Sequence, residues 1–400
     1  MKRRRVKITG LGFITPAGIG KEAFWQGILE PVSRVTPARK YPEEAGPFVS
    51  AEVKGFHLDD YVKNTNSKRM PRHTQFALAA AALAAEDAGL TLPKLRGKGA
   101  LIMIGATLMD FGVINKGVDI IVRKGPNNAL PTSVATALVS AIGAAVSDAV
   151  GGTTRAMSLQ SACCSGMDAI GRAADMIASG EADIAVCGGS EAPLYFHPML
   201  ELKLAGLAPG NPELADRQCR PFDLWRTTGV IGEGACVMIL ESDDSPRPAY
   251  AHVGGYGYAS DPSEASCAGM LESIRLALGN SGLRPNQIEC ISAWGPGHKT
   301  LDAAESDMLK RFFGPALASI PTVSIKGALG NPLGAAGAIQ VGCAALGLSR
   351  GAIPPTVNWT HPDPSCALNL SGQARYIAHE TALVNGHGLS GTNACLVLSR

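Results

Sequence analysis

The run Ser161-Ala-Cys-Cys-Ser-Gly166 holds a thiol, Cys163, between an apolar segment from Met157 and a segment with Ile170, Ala173, Ala174 and Ile177 at helical spacing. A cysteine at that junction meets backbone N–H groups that have no intrahelical acceptor, and the positive end of the helix dipole. Both favour the thiolate, so the sequence predicts a lowered thiol pKa and a nucleophile at Cys163. Cys164 points another way around the turn and is expected to pack beneath its neighbour. Taken alone, a cysteine in this setting also fits simple core packing.

The elements that must position Cys163 read as α/β. Met157 begins a strand, Cys163 marks the turn, a helix follows to Ser179-Gly180, and Asp183-Ile-Ala-Val-Cys187 reads as the next strand. Val6-Lys-Ile-Thr-Gly10 reads as the first strand. A second unit runs from a strand at Thr322-Val-Ser-Ile-Lys326 through a Gly and Pro turn into Gly334 to Leu346, whose small residues suit close helix packing. Ser242-Asp-Asp-Ser-Pro-Arg-Pro248 interrupts two strand patterns and divides the chain, placing one half at residues 1–245 and the other at 246–400.

Composition narrows the chemistry further. The 400 residues are 46% hydrophobic with a net charge of +2, enough for a large core and without the charge bias that marks nucleic-acid binding. No apolar stretch reaches the roughly 18 residues of a membrane helix, and the ten scattered cysteines show no disulfide framework, which together predict a cytoplasmic protein. The eight histidines form no metal-ligand spacing, so no metal is expected. Gly10-Leu-Gly12 opens like a dinucleotide fingerprint but lacks the third glycine and carries Pro16 in the turn, which argues against a nicotinamide enzyme.

Over nearly its whole length the chain resembles the β-ketoacyl-acyl carrier protein synthases, the condensing enzymes of fatty acid and polyketide assembly. The resemblance is carried by Val6 to Gly18, Ala162-Cys-Cys-Ser-Gly166, Arg220-Pro-Phe-Asp223, Gly232-Glu-Gly234, Lys326, Gly334-Ala-Ala-Gly337 and Gly391-Thr-Asn393. It implies the thiolase-like fold, two similar βαβ halves in a five-layered αβαβα body. It also implies phosphopantetheine-linked acyl substrates on acyl carrier protein or coenzyme A, no tightly bound cofactor, and a homodimer or a heterodimer with a second ketosynthase subunit.

The family mechanism uses a cysteine to accept the acyl chain and two histidines to decarboxylate malonyl thioester. Here the resemblance places Trp294 and Asn331 at the two histidine positions, within Ala293-Trp-Gly-Pro-Gly-His298 and Gly330-Asn-Pro-Leu-Gly334. An indole N–H donates but accepts no proton, and an amide is no base. In the gate loop Gly386-His-Gly-Leu-Ser-Gly391, Leu389 replaces the gate aromatic, and the backbone N–H groups of Cys163 and Leu389 are the expected oxyanion hole. Thr227-Thr-Gly229 stands where a Gly-Phe pair is usual. Lys326 is expected to hold a polar network near the site, with Asp302 and Glu305 as supporting acids.

Three readings follow from this pattern. In the favoured one, Cys163 is acylated and the group is transferred, cyclised or released without decarboxylation. In the second, the chain is a chain-length-factor-like, non-catalytic partner of an active ketosynthase. In the third, decarboxylative condensation persists in a rearranged site with His298 or His387 as base.

Overall fold

The computed structural model describes residues 3–38, 41–63, 65–97, 99–209, 213–261 and 267–400. Its strands in chain order are β1 (Val6–Thr15), β2 (Gly18–Ile19), β3 (Thr36–Ala38), β4 (Phe48–Ser50), β5 (Leu101–Gly105), β6 (Arg155–Leu159) and β7 (Ile184–Glu191). After these come β8 (Gly234–Ser242), β9 (Ala251–Ser260), β10 (Cys290–Ser292), β11 (Thr322–Val323), β12 (Thr381–Gly388) and β13 (Thr392–Ser399).

Hydrogen bonding orders the main sheet β11-β10-β12-β13-β9-β1-β8-β7-β5-β6. That order is a duplication. From its outer edge one half runs β6-β5-β7-β8-β1, with parallel pairing around β5 and antiparallel pairing from β7 onward. The other half repeats the order and the directions as β11-β10-β12-β13-β9. The halves join where Lys7 and Ile8 pair with His252 and Ala251.

Strand alternation explains why both faces of each half are covered. Leu101, Met103, Cys187, Met238, Val384 and Leu396 face one central core. Their neighbours Ile102, Ile104, Val186 and Val237 face a second core, on the outer side of the first half. Leu383, Cys395 and Val397 face a third, on the outer side of the other half. The central space is filled by helices Ser165–Ala178 and Ala336–Arg350, which pack on strands of both halves. Helix Arg72–Asp87 covers one outer face and helix Ala268–Ser281 the other, which completes the five layers the resemblance implies.

Gly166 shows why small residues sit in the middle layer. A Cβ there would stand 2.7 Å from the Gly334 carbonyl oxygen and 3.0 Å from the Gly189 Cα. The second unit departs from expectation at its strand. β11 stops at Val323, Ser324 turns so that its N–H donates to Thr356 Oγ1 at 3.1 Å, and Lys326 opens the short helix Lys326–Leu329. Among the described residues no helix is long and apolar enough to cross a membrane.

Candidate active site

Cys163 sits at a strained corner between β6 and helix Ser165–Ala178. Ala162 has φ of +51°, a left-handed conformation that an alanine adopts only under constraint. The constraint is visible: Ser161 N–H donates to Ser165 Oγ at 2.9 Å, Ser165 Oγ donates to the Ala162 carbonyl, and Ser161 Oγ donates to Asp168, which also accepts from Tyr256 at 2.7 Å. Cys164 lies fully buried below, its thiol 3.5 Å from the Thr392 carbonyl, as the sequence predicts.

The end of β12 crosses directly over this corner. A Cβ at Gly388 would meet Cys163 N at 2.8 Å and Thr392 Oγ1 at 2.5 Å, so only glycine lets the strand pass. Leu389 follows, 39% exposed, and its N–H and that of Cys163 both favour the charged form of the Cys163 sulfur. These are the two groups expected to form the oxyanion hole.

The thiol itself departs from expectation. Burial pushes Cys163 up to about 11, outweighing the two N–H groups and the Lys326 charge that act the other way; the Glu191 charge adds to the rise. The helix terminus and dipole are present, but with only 5% of the residue exposed the loss of hydration dominates. At neutral pH the resting thiol is therefore protonated, and an attack requires somewhere for its proton to go.

Cys163, Trp294, Asn331, His298, His387 and Leu389 line one narrow cavity of roughly 70 Å³. Its apolar wall includes Leu202, Leu207, Ile231 and Leu333, with Thr228 and Gly229 at one side. Two buried polar atoms in this wall have no hydrogen-bond partner, Trp294 Nε1 and Asn331 Oδ1. Buried polar groups without partners are costly unless a ligand supplies one.

The supporting residues stand behind the cavity wall. Glu305 accepts from the N–H groups of Trp294 at 2.9 Å and Gly295 at 2.8 Å and from Asn385 Nδ2 at 3.2 Å, which fixes the backbone carrying the indole. Asp302 accepts from Phe222, Gly297 and His298 N–H groups, and burial raises it to about 7 against the pull of those bonds and of Arg226. Lys326 Nζ donates to the Trp294 carbonyl and to Gln340 Oε1 at 3.0 Å, and burial lowers it to about 8. It lines none of the cavity and acts on Cys163 through charge.

The histidines differ sharply in setting. His298 caps helix Lys299–Phe313 by accepting from Leu301 N–H through Nδ1, and burial and the Arg226 charge lower its pKa. His387 is 3% exposed, its ring edge-on to Trp294 with centroids 4.8 Å apart, and its Nδ1 lies 2.7 Å from Asn393 Oδ1. Asn393 and Asp261 carry this contact and have no assigned role in the sequence reading. Only the Gly391-Thr-Asn393 motif pointed toward them. Among the described residues no three His, Cys, Asp or Glu side chains gather as a metal site.

The β-ketoacyl synthase N-terminal domain matches residues 3–245, and the β-ketoacyl synthase C-terminal domain matches residues 250–360. The chain belongs to the β-ketoacyl synthase family. It is 30% identical to the 3-oxoacyl-[acyl-carrier-protein] synthase 2 of Coxiella burnetii over 414 residues, covering 100% of this chain and 99% of that one. Among solved structures, this ketosynthase-family chain is similar to the ishigamide ketosynthase/chain length factor, with a TM-score of 0.92, 31% identity and 99% of each chain covered. It is also similar to a type II polyketide synthase ketosynthase, bound to the hexaketide and in complex with its acyl-carrier protein, with a TM-score of 0.90, 27% identity and 99% of each chain covered.

Proposed function

We propose that this ketosynthase-family chain loads an acyl group on Cys163 and transfers, cyclises or releases it without ordinary malonyl decarboxylation. The acyl group would come from a phosphopantetheine thioester on acyl carrier protein or coenzyme A, in polyketide or specialised fatty acyl metabolism. The observation that carries this reading is the composition of one cavity. It combines a cysteine under two backbone N–H groups with Trp294 and Asn331 at the positions read as the family's histidines, and neither of these side chains can take a proton.

In the loading step the Cys163 sulfur attacks the thioester carbonyl, the N–H groups of Cys163 and Leu389 hold the oxyanion, and the pantetheine thiol leaves. The unpartnered Trp294 N–H adds a donor within the same wall. Decarboxylation asks for more, since each lost oxyanion donor costs about 100-fold or more. The ten cysteines are all free, which supports residence in the reducing cytoplasm.

The test is intact-mass detection of an adduct after incubation with acyl-carrier protein and acyl-coenzyme A thioesters, beside Cys163→Ala. An adduct that vanishes in the variant supports the reading. No adduct with any donor sinks it and favours the chain-length-factor-like partner, a second reading supported by the likeness to the ishigamide ketosynthase/chain length factor.

A further inference from the structure

We propose that His387 is the proton acceptor for Cys163, held in its working tautomer by a relay of Asn393 and Asp261. The inference rests on the acyl-transfer reading of the cavity and supplies what the buried thiol lacks, a place for its proton.

The relay is built by strand register. β12 pairs with β13 so that His387 stands opposite Asn393, and β13 pairs with β9, which ends at Ser260 just before Asp261. Asn393 Nδ2 donates to Asp261 Oδ2 at 2.8 Å and to the Gly391 carbonyl at 2.9 Å. Both partners accept only, so the orientation of the amide is fixed and its Oδ1 faces His387. At 2.7 Å from that oxygen, His387 Nδ1 carries the hydrogen, and the lone pair is left on Nε2. Asp261 is itself anchored, its Oδ1 accepting from Gly269 N–H at 2.6 Å at the start of helix Ala268–Ser281.

His387 and Cys163 line the same cavity, and Gly388, the next residue, passes over the Cys163 N–H at the close approach described above. The charged and titratable groups around the ring are Asp261 on one side, Cys163 and His298 in the cavity, and Lys326 and Glu305 behind Trp294.

The step balances. The Cys163 S–H proton passes to His387 Nε2 as sulfur bonds to the thioester carbonyl carbon. The carbon–sulfur bond to pantetheine then breaks, and the leaving thiolate takes the proton back from the imidazolium. His387 is a catalytic residue in this scheme, whereas Asn393 and Asp261 are positioning residues.

Iodoacetamide alkylation of Cys163 in the full chain, followed by mass analysis of its peptide across pH, reads the proton acceptor without any acyl donor. The expected wild-type rate reaches a plateau well below the range in which the buried thiol itself ionises, about 11. His387→Gln should slow alkylation at neutral pH by ~100-fold or more, the usual scale of lost general-base help, and move the rise into the buried thiol's range. Asn393→Ala should displace the wild-type step along the pH axis. A wild-type rate that keeps climbing ~10-fold per pH unit, or an unaltered profile in folded His387→Gln, overturns the relay. The wild-type profile decides even where a variant does not fold. Normal acyl loading beside a profile with no histidine step removes the relay and leaves the acyl-transfer reading intact; a histidine step with no loading does the reverse.

Discussion

At the scale of single residues, the site separates nucleophile from support. Cys163→Ala should abolish acyl-adduct formation, measured by intact mass, while the fold persists, since a smaller apolar side chain replaces a buried thiol. Asn331→Ala should do much less. Its Oδ1 has no partner in the protein, so its loss removes at most one hydrogen bond to a ligand, about 1 kcal/mol or roughly fivefold in loading rate. An Asn331→Ala variant as dead as Cys163→Ala would assign the amide an essential role that an amide's chemistry does not provide.

A second residue-scale prediction concerns Glu191, fully buried with its carboxylate accepting from Thr107, Leu108 and Gly334 N–H groups. Burial raises it to about 7 from an ordinary 4.5, the bonds only partly opposing the rise. A group raised on folding stabilises most below its unfolded pKa and loses that contribution as pH climbs through the folded value. The stability of wild type relative to Glu191→Gln should therefore fall between about pH 4.5 and 7 and stay flat above that window, read by urea unfolding. A difference that does not vary with pH would show that Glu191 does not titrate there.

At the scale of elements, the strand–turn–helix around Cys163 was legible because apolar periodicity changes from strand to helix at the turn itself. The thiol's pKa was not legible. A sequence shows the helix terminus that lowers it, but the burial that raises it comes from distant segments brought together by tertiary packing, among them Phe48, Leu194, Ile231 and Leu333 and the end of β12, more than 200 residues away. The same limit hid the Asp261–Asn393–His387 contact, which depends on the pairing of three strands. Lys326 shows the reverse case: its burial and charge role fit a lysine near the site, yet it opens a helix where Thr322-Val-Ser-Ile-Lys326 reads as strand. Local propensity lost there to the Ser324–Thr356 bond and the turn.

The crossing of β12 makes its own prediction. Gly388→Ala places a methyl against Cys163 N and Thr392 Oγ1 at distances that force the strand away. Overpacking of this kind costs about 1–3 kcal/mol, so a lower melting temperature is expected. Adduct formation should fall further than stability does, because Leu389 and its N–H move with the strand. A variant with lowered stability and undiminished loading would remove Leu389 from the oxyanion hole.

At the scale of the whole molecule, the duplication leaves β11 and β6 as equivalent outer edges of the sheet, but they end differently. β11 has two residues, both buried. β6 has five, and Arg155, Ala156 and Met157 are exposed, with Met157 53% open to solvent. A longer strand with unpaired edge groups and an apolar side chain on show invites pairing with another strand. The homodimer implied by the family resemblance would cover that edge by placing two copies of β6 side by side about a twofold axis. We therefore predict that the purified chain sediments as a dimer and that Met157→Arg, which sets like charges together at such an axis, shifts it toward monomer without loss of helix or strand signal. Sedimentation also separates the two functional readings. An acyltransferase competent alone should be a loaded homodimer, whereas a chain that stays monomeric until a second ketosynthase subunit is added, and never acquires an adduct, would be the partner that shapes another subunit's site.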